Sequence, residues 1–430
     1  MENTGQITQD KTTKWKHWAT LMGKFLSVQI LVQLLSGIAS IILVRSLTKQ
    51  EYAYYTIFNS MQGTITLLAD MGLSAGMMYI GGRVWEDRER FGQMLSTAFR
   101  IRWYMAITAG LFVLPILTYL LYKNQAPIIY IVIILFLFCG LLYFQLQVNI
   151  LNIVPRIYAQ IGKLQKLDLM SAVSRFALIA AASLLFMNTP VIIGITIASV
   201  ALQYFYLNKW VYHTVSRTTS IHDDDHKELV LLIRSQVASG IFFCVQGQVS
   251  TWLISVFGNV EQIAEVGALG RMEMIYMVIH TTMNAIFIPM FAKAQEKKQV
   301  WKIYLRIIVL YIFIGLGLTG FSMLFPEAIL WVLGPKYINL QQELVYMMCS
   351  LALGSIVAIL WTMNVSRAWI QYSWVYIPAT IVTQMALLYF LRLDNVRDVI
   401  LFGILSRVPN VLLNIVLSYR GFRAFDKKPV

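Results

Sequence analysis

Three arginines, Arg175, Arg271 and Arg407, stand inside stretches that are otherwise almost wholly apolar. A charge near the centre of a bilayer costs about 2.5–3.5 kcal/mol on insertion scales, so such residues must face protein or water. Guanidinium groups grip phosphate oxygens bidentately. Few acids accompany them, chiefly Asp70 and Glu273, so a cavity holding these arginines is incompletely compensated and suits an anionic diphosphate. The competing reading is internal pairing with Asp or Glu that only holds helices together, and Arg271 is the most open to it because Glu273 is close in sequence. Asp70, Glu273 and His280 are candidates for coupling to H+ or Na+, since ionisable groups at membrane depth serve as relays.

Uncharged polar residues fall on stripes, because positions three or four apart share a helix face. Gln29, Gln33, Ser36 and Ser40 form one stripe, and Asn59, Gln62, Thr66 and Asp70 a second. Gln145, Asn149 and Asn152 form another, as do Ser239, Gln246 and Ser250. Glu273, His280 and Asn284 line up, and so do Arg407, Asn410 and Asn414. A helix-to-helix hydrogen bond, worth about 0.6 kcal/mol in membranes, explains any one of these amides. Stripes on so many helices go beyond what packing requires and point to one shared wet cavity. The expected ligand contacts are therefore Arg175, Arg271, Arg407, Gln29, Gln33, Asn59, Gln62, Gln246, Asn284, Asn410 and Asn414.

Other chemistry is sparse. Cys139, Cys244 and Cys349 sit singly in apolar runs, with no CxxC pair. The run His222-Asp223-Asp224-Asp225-His226 can be drawn as a metal site, but its local, loop-like placement reads as a solvated linker. No GxxxxGK[ST] loop is present, and neither cofactor nor metal is expected. A membrane glycan polymerase or ligase would carry its reactive site on a large outer loop. The longest expected outer segment, 326–343, is short and has no paired carboxylates or His cluster, so no catalytic residue is assigned.

What positions these residues is a set of long apolar segments. Of the 430 residues, 58% are hydrophobic and 13% charged, against about 45–50% and about 25% in soluble domains. Runs of about 20 apolar residues suffice to cross the hydrocarbon, and they place helices near 21–44, 52–80, 97–122, 127–150, 164–187, 190–212, 229–257, 264–292, 301–325, 342–364, 370–391 and 398–419. The first run is too long for a signal-peptide core and stays as a helix. Lys and Arg set the orientation. With the N-terminus inside, 26 fall on the inner side and 6 on the outer, the remaining three of 35 lying within spans. A missed span in the middle would exchange the sides of everything downstream, so both termini are expected to be cytoplasmic. The net charge of +14 is scattered between apolar runs, which expresses topology rather than nucleic-acid binding. The expected organisation is a tail (1–20), a six-helix lobe (21–212), a cytoplasmic linker (213–228), a second six-helix lobe (229–419) and a tail (420–430), as in internally repeated transporters.

Four segments carry a family resemblance. Val44 to Tyr55, VRSLTKQEYAYY, resembles the aR-x-L-x-x-x-e-y-G-x-y signature of polysaccharide-type (Wzx-like) flippases of the MOP superfamily, with Ala53 in place of the usual Gly. Leu68 to Leu73, LADMGL, is similar to that family's D-x-G-L, and Glu265 to Met272, EVGALGRM, to its e-v-G-x-y-x-x-a-x-r region. Pro289 stands where helix eight of the family carries a proline. The resemblance implies an all-α, MATE-like membrane fold of two six-helix lobes related by a pseudo-twofold axis, alternating access, and residence in a bacterial cytoplasmic (inner) membrane. It implies an undecaprenyl-diphosphate-linked oligosaccharide as cargo, for O-antigen, capsule or exopolysaccharide assembly, with membrane lipid around it and a polymerase and glycosyltransferases as partners. An ion-coupled amphiphile or drug exporter is the rival within transport, and its cavity should be more apolar and acidic.

Overall fold

A computed structural model describes residues 27–216, 220, 222–391 and 393–424. The expected tail at 1–20 and the end of the C-terminal tail lie outside the described residues. Among the described residues every regular element is helical. The first half comprises α1 (Ser27–Ser46), α2 (Lys49–Leu68), α3 (Leu73–Val84), α4 (Arg88–Lys123), α5 (Ile128–Leu151), the single turn α6 (Ile153–Ile157), α7 (Ile161–Leu185) and α8 (Thr189–Thr214). The second comprises α9 (Asp223–Phe257), α10 (Val260–Gly270), α11 (Glu273–Lys293), α12 (Lys297–Leu324), α13 (Pro326–Leu333), α14 (Gln341–Ser366), α15 (Tyr376–Phe390), α16 (Val396–Leu405) and α17 (Val408–Ala424). Among the described residues, 11 helices are long and apolar enough to cross a membrane, and the bent pair α2–α3 brings the number to 12.

Three expected spans are interrupted. The α2–α3 pair bends by 42° where Met71 and Gly72 take left-handed backbone angles, a conformation glycine adopts freely. Between α10 and α11 the ladder tightens to three-residue bonds, Arg271 N to Ala268 O and Met272 N to Leu269 O. Between α16 and α17 the cause is Pro409, which has no N–H for the Leu405 carbonyl, so the chain turns at Ser406–Arg407 and restarts with proline in the first turn.

Packing divides the bundle by its ends. α5 lies along α8, α8 along α7, and α4 against α2; in the second half α14 packs on α11, α12, α16 and α17. α2 meets both α9 and α10, and α9 also reaches α3 and α4. At the end carrying the α1–α2 turn, one continuous core joins both halves, with Leu47, Tyr52, Phe58 and Ile134 against Ile263, Leu330, Tyr337 and Leu344. Toward the opposite end the two larger cores are separate. One holds Leu73, Phe91, Val154 and Val211 with Leu229 and Ile233 of α9, and the other holds Phe291, Ile307, Ile359 and Phe422.

The expected linker is only partly a loop. α9 begins at Asp223, with Asp223, Asp224 and Asp225 in its first turn, where acidic groups favour the positive end of the helix dipole. Asp225 is not solvated. It is 2% exposed and holds Arg90 at 2.5 Å, and burial of a carboxylate is tolerable because that guanidinium grips both oxygens. Among the described residues no group of His, Cys, Asp and Glu could hold a metal.

Candidate functional site

The charged residues at the helix breaks have two different surroundings. At the α2–α3 break, Asp70 is ion-paired with Arg102 of α4, and Ser74 donates to the same carboxylate oxygen at 2.5 Å. Arg102 is 1% exposed, among the largest fully buried side chains. Sequence reasoning missed it, because its position just after Arg100 reads as the polar start of a span. At the other two breaks the charges face open space. Arg271 and Arg407 have no carboxylate within 4.0 Å among the described residues. The alternative that Glu273 neutralises Arg271 by pairing is therefore not what the geometry has: Arg271 Nε donates to Tyr52 Oη at 2.8 Å, and its guanidinium lies over the Tyr52 and Tyr55 rings.

Arg407 lies across α14, with Nη1 donating to the Ser350 carbonyl and, at 2.7 Å, to Ser350 Oγ. Gly354 makes that approach possible, since a Cβ there would stand 3.1 Å from Nη1. Around these two arginines are two adjoining chambers of ≈ 550 and ≈ 310 Å³, within the size range of ligand sites. The smaller is walled by Thr56, Asn59 and Ser60 of α2, by Gln248 and Thr251 of α9, and by Arg271. Ser60 donates to Gln248 Oε1 at 2.7 Å and accepts from Trp252 Nε1 at 3.1 Å, which fixes that wall. The larger is walled by Phe243, Tyr276, His280, Ser355, Tyr376 and Asn410. Phe243 and Tyr376 stack with centroids 5.7 Å apart. Gln246, Gly247, Ser250, Glu273, Gly403 and Arg407 border both.

Of the residues expected from the sequence, the structure brings Arg271, Arg407, Asn59, Gln246 and Asn410 to these chambers together with Glu273 and His280. The remaining ones lie elsewhere. Arg175 of α7 reaches Tyr55 Oη at 3.5 Å and so touches the tyrosine pair that holds Arg271 without lining either chamber. Gln33 donates to Thr281 at 2.9 Å, joining α1 to α11, and Gln29, Gln62 and Asn284 line neither chamber. Asn414 is fully buried, bonded to Asn364 at 3.0 Å and Asn410 at 2.6 Å, with Ser418 closing the network onto Asn364. Asp70 is taken by Arg102. Tyr52, Tyr55, Gln248, Ser350 and Tyr376 complete the site and carried no signal in a search for charge and amide stripes, although the Tyr52–Tyr55 spacing puts both rings on one face of α2.

No family model matches the sequence, and no curated protein aligns with it. Solved structures do. An inward-facing multidrug-resistance MATE-family transporter of the MOP superfamily superposes with a TM-score of 0.74 at 18% identity, over 93% of this chain and 96% of that one. The chain has the MATE-type fold. An outward-facing multidrug-resistance MATE transporter scores 0.64 at 19% identity over 95% and 96% of the two chains, below the value for the inward-facing one. The lipid II flippase MurJ, in an inward closed conformation, scores 0.72 at 10% identity over 93% and 89%. In this chain the continuous core shuts the α1–α2 end, while the opposite end holds separate cores.

Proposed function

We propose that this MATE-type protein carries a polyprenyl-diphosphate-linked oligosaccharide from the cytoplasmic to the outer leaflet by alternating access. The observation that carries the proposal is the cavity holding Arg271 and Arg407, two guanidinium groups with no ion-pair partner among the described residues and one carboxylate, Glu273, on its wall. A lipid-linked saccharide cannot cross unaided, because each hydroxyl stripped of water costs several kcal/mol and the diphosphate far more. A polar chamber open to one side at a time removes that barrier while the lipid tail stays in the bilayer. Outward movement of about two negative charges in an inside-negative membrane gains roughly 4–5 kcal/mol at 100 mV, so coupling to H+ or Na+ through Glu273 or His280 is an addition rather than a requirement. In this reading the lobes are 21–212 and 229–419, both termini and the linker are cytoplasmic, and the membrane is the bacterial inner membrane. A glycan polymerase would then consume what glycosyltransferases have built. The MurJ-like fold supports the reading, as do the short motifs at residues 44–55, 68–73 and 265–272.

Loss of the protein should leave lipid-linked repeat units on the cytoplasmic leaflet, read by labelling intact against opened cells. Arg271→Ala and Arg407→Ala should reproduce that accumulation and Lys at either site should partly relieve it. Normal outward display in the deletion strain would end the proposal. Export of a cationic amphiphile is the second reading, favoured by the Phe243–Tyr376 stack and by the multidrug transporters sharing the fold. It requires the deletion strain to gain dye sensitivity with its glycan display intact.

A further inference from the structure

The two chambers differ in charge. Arg271 borders only the smaller one, His280 only the larger, and Arg407 and Glu273 border both. With the shared pair offsetting in each, the smaller chamber keeps the permanent positive charge of Arg271 and the larger has no permanent cation beyond the shared Arg407. Their walls differ in the same sense. Hydroxyls and amides, from Thr56, Asn59, Ser60, Gln248 and Thr251, surround Arg271 in the smaller. Rings from Phe243, Tyr276 and Tyr376, with Asn410, form the larger, and Gln246 borders both. An oxyanion needs a cation and hydrogen-bond donors, whereas a sugar ring offers C–H faces to aromatic rings and hydroxyls to amides. Gly247 borders both chambers, and a Cβ there would meet no atom within 4 Å.

Resting on the flippase reading, we infer that the smaller chamber receives the diphosphate and the larger one the adjoining uncharged sugars of the same molecule. Each ligand part then meets the wall that can replace its water, and Arg407 at the border serves the phosphate nearer the sugar. Acidic sugars next to the diphosphate are disfavoured, because the larger chamber has no cation to spare for them.

The test uses the full chain, purified, with Cys139, Cys244 and Cys349 replaced and one new cysteine introduced: Thr251→Cys in the smaller chamber or Ser355→Cys in the larger. Asn59→Cys and Asn410→Cys are the second positions should either variant fail to fold. Each is labelled with a negatively charged and a positively charged methanethiosulfonate. The anion-to-cation rate ratio should be about 10-fold higher in the smaller chamber, equivalent to about 1.4 kcal/mol in the preference for anion over cation, and Arg271→Gln should abolish the difference. Inorganic pyrophosphate should slow labelling in the smaller chamber alone. Equal ratios, with pyrophosphate protecting both chambers, would overturn the division and leave an anion carrier standing. Cation preference in both, without protection by pyrophosphate, would remove the division and the flippase reading together.

Discussion

At the α1–α2 end, polar contacts cross between the halves; at the opposite end they stay within one half or tie it to the start of α9. Lys49 meets Glu265 at 3.0 Å and Glu261 at 3.7 Å, Tyr52 donates to the Gly267 carbonyl, Asn124 to the Ser255 carbonyl, and Lys336 to the Leu47 carbonyl. At the other end, Asp70–Arg102 joins α2 to α4, Arg90–Asp225 and Arg83–Glu228 tie the first half to α9, and Arg367 holds the Phe291 and Ala294 carbonyls inside the second half. The contrast teaches where the molecule can come apart. A single hydrogen bond contributes about 0.5–1.5 kcal/mol net and one to a charged group about 1.5–3 kcal/mol, so a seam stitched by a handful of such contacts, one of them the part-buried Lys49–Glu265 pair, is one that can open and reclose. A buried pair within one half holds its shape while the halves move.

The contrast is most severely tested by fastening the shut end. In a cysteine-free background, Asn124→Cys with Ser255→Cys, bridged by a short crosslinker, should lower transport more than about 10-fold, since a carrier confined to one state cannot complete its cycle. Cleaving the link should restore it, and unimpaired transport in the linked protein would mean that this end never opens. Next in size comes the interior pair. Asp70→Ala strands a buried guanidinium and should cost about 3–5 kcal/mol, read as a fall in Tm of the purified protein. Arg102→Met should cost less, because the Asp70 side chain is 34% exposed, and the double variant should recover most of the loss. The smallest effect concerns the seam itself. Burial, and secondarily the charge of Lys49, lowers the Lys336 ammonium from 10.5 to about 8. Between those values the unfolded chain binds more protons than the folded one, so stability rises with pH through that window. Lys336→Met should flatten the rise, and an unchanged Tm-against-pH slope would show that Lys336 is as well solvated folded as unfolded.

The spans were legible because lipid imposes length and hydrophobicity on each, whatever its neighbours are. Their breaks were harder to read. Pro409 signals the one before α17, but the one after Gly270 has no proline to mark it, and Arg271 beside it reaches Tyr52 across the fold. Stripe arithmetic found Arg407 and Asn410 at the chambers, and on the same stripe placed Asn414, which α14 covers with Asn364. Periodicity identifies a face; the partner on that face is a tertiary fact. Arg102 escaped for a related reason, since only the fold puts it opposite Asp70, 32 positions away in sequence.

α9 belongs to both neighbourhoods. Near its start, Asp225, Glu228, Leu229 and Ile233 are fastened to α3 and α4, while farther along Gln248, Trp252 and Ile254 are fastened to α2 and the shared core. A rocking motion that parts the shut end must therefore flex or tilt this one 35-residue rod, which lines both chambers along the way. In the proposed flippase, cargo pressing on Gln246, Gly247 and Ser250 would push on the lever that the motion has to bend, linking loading to rocking through a single helix.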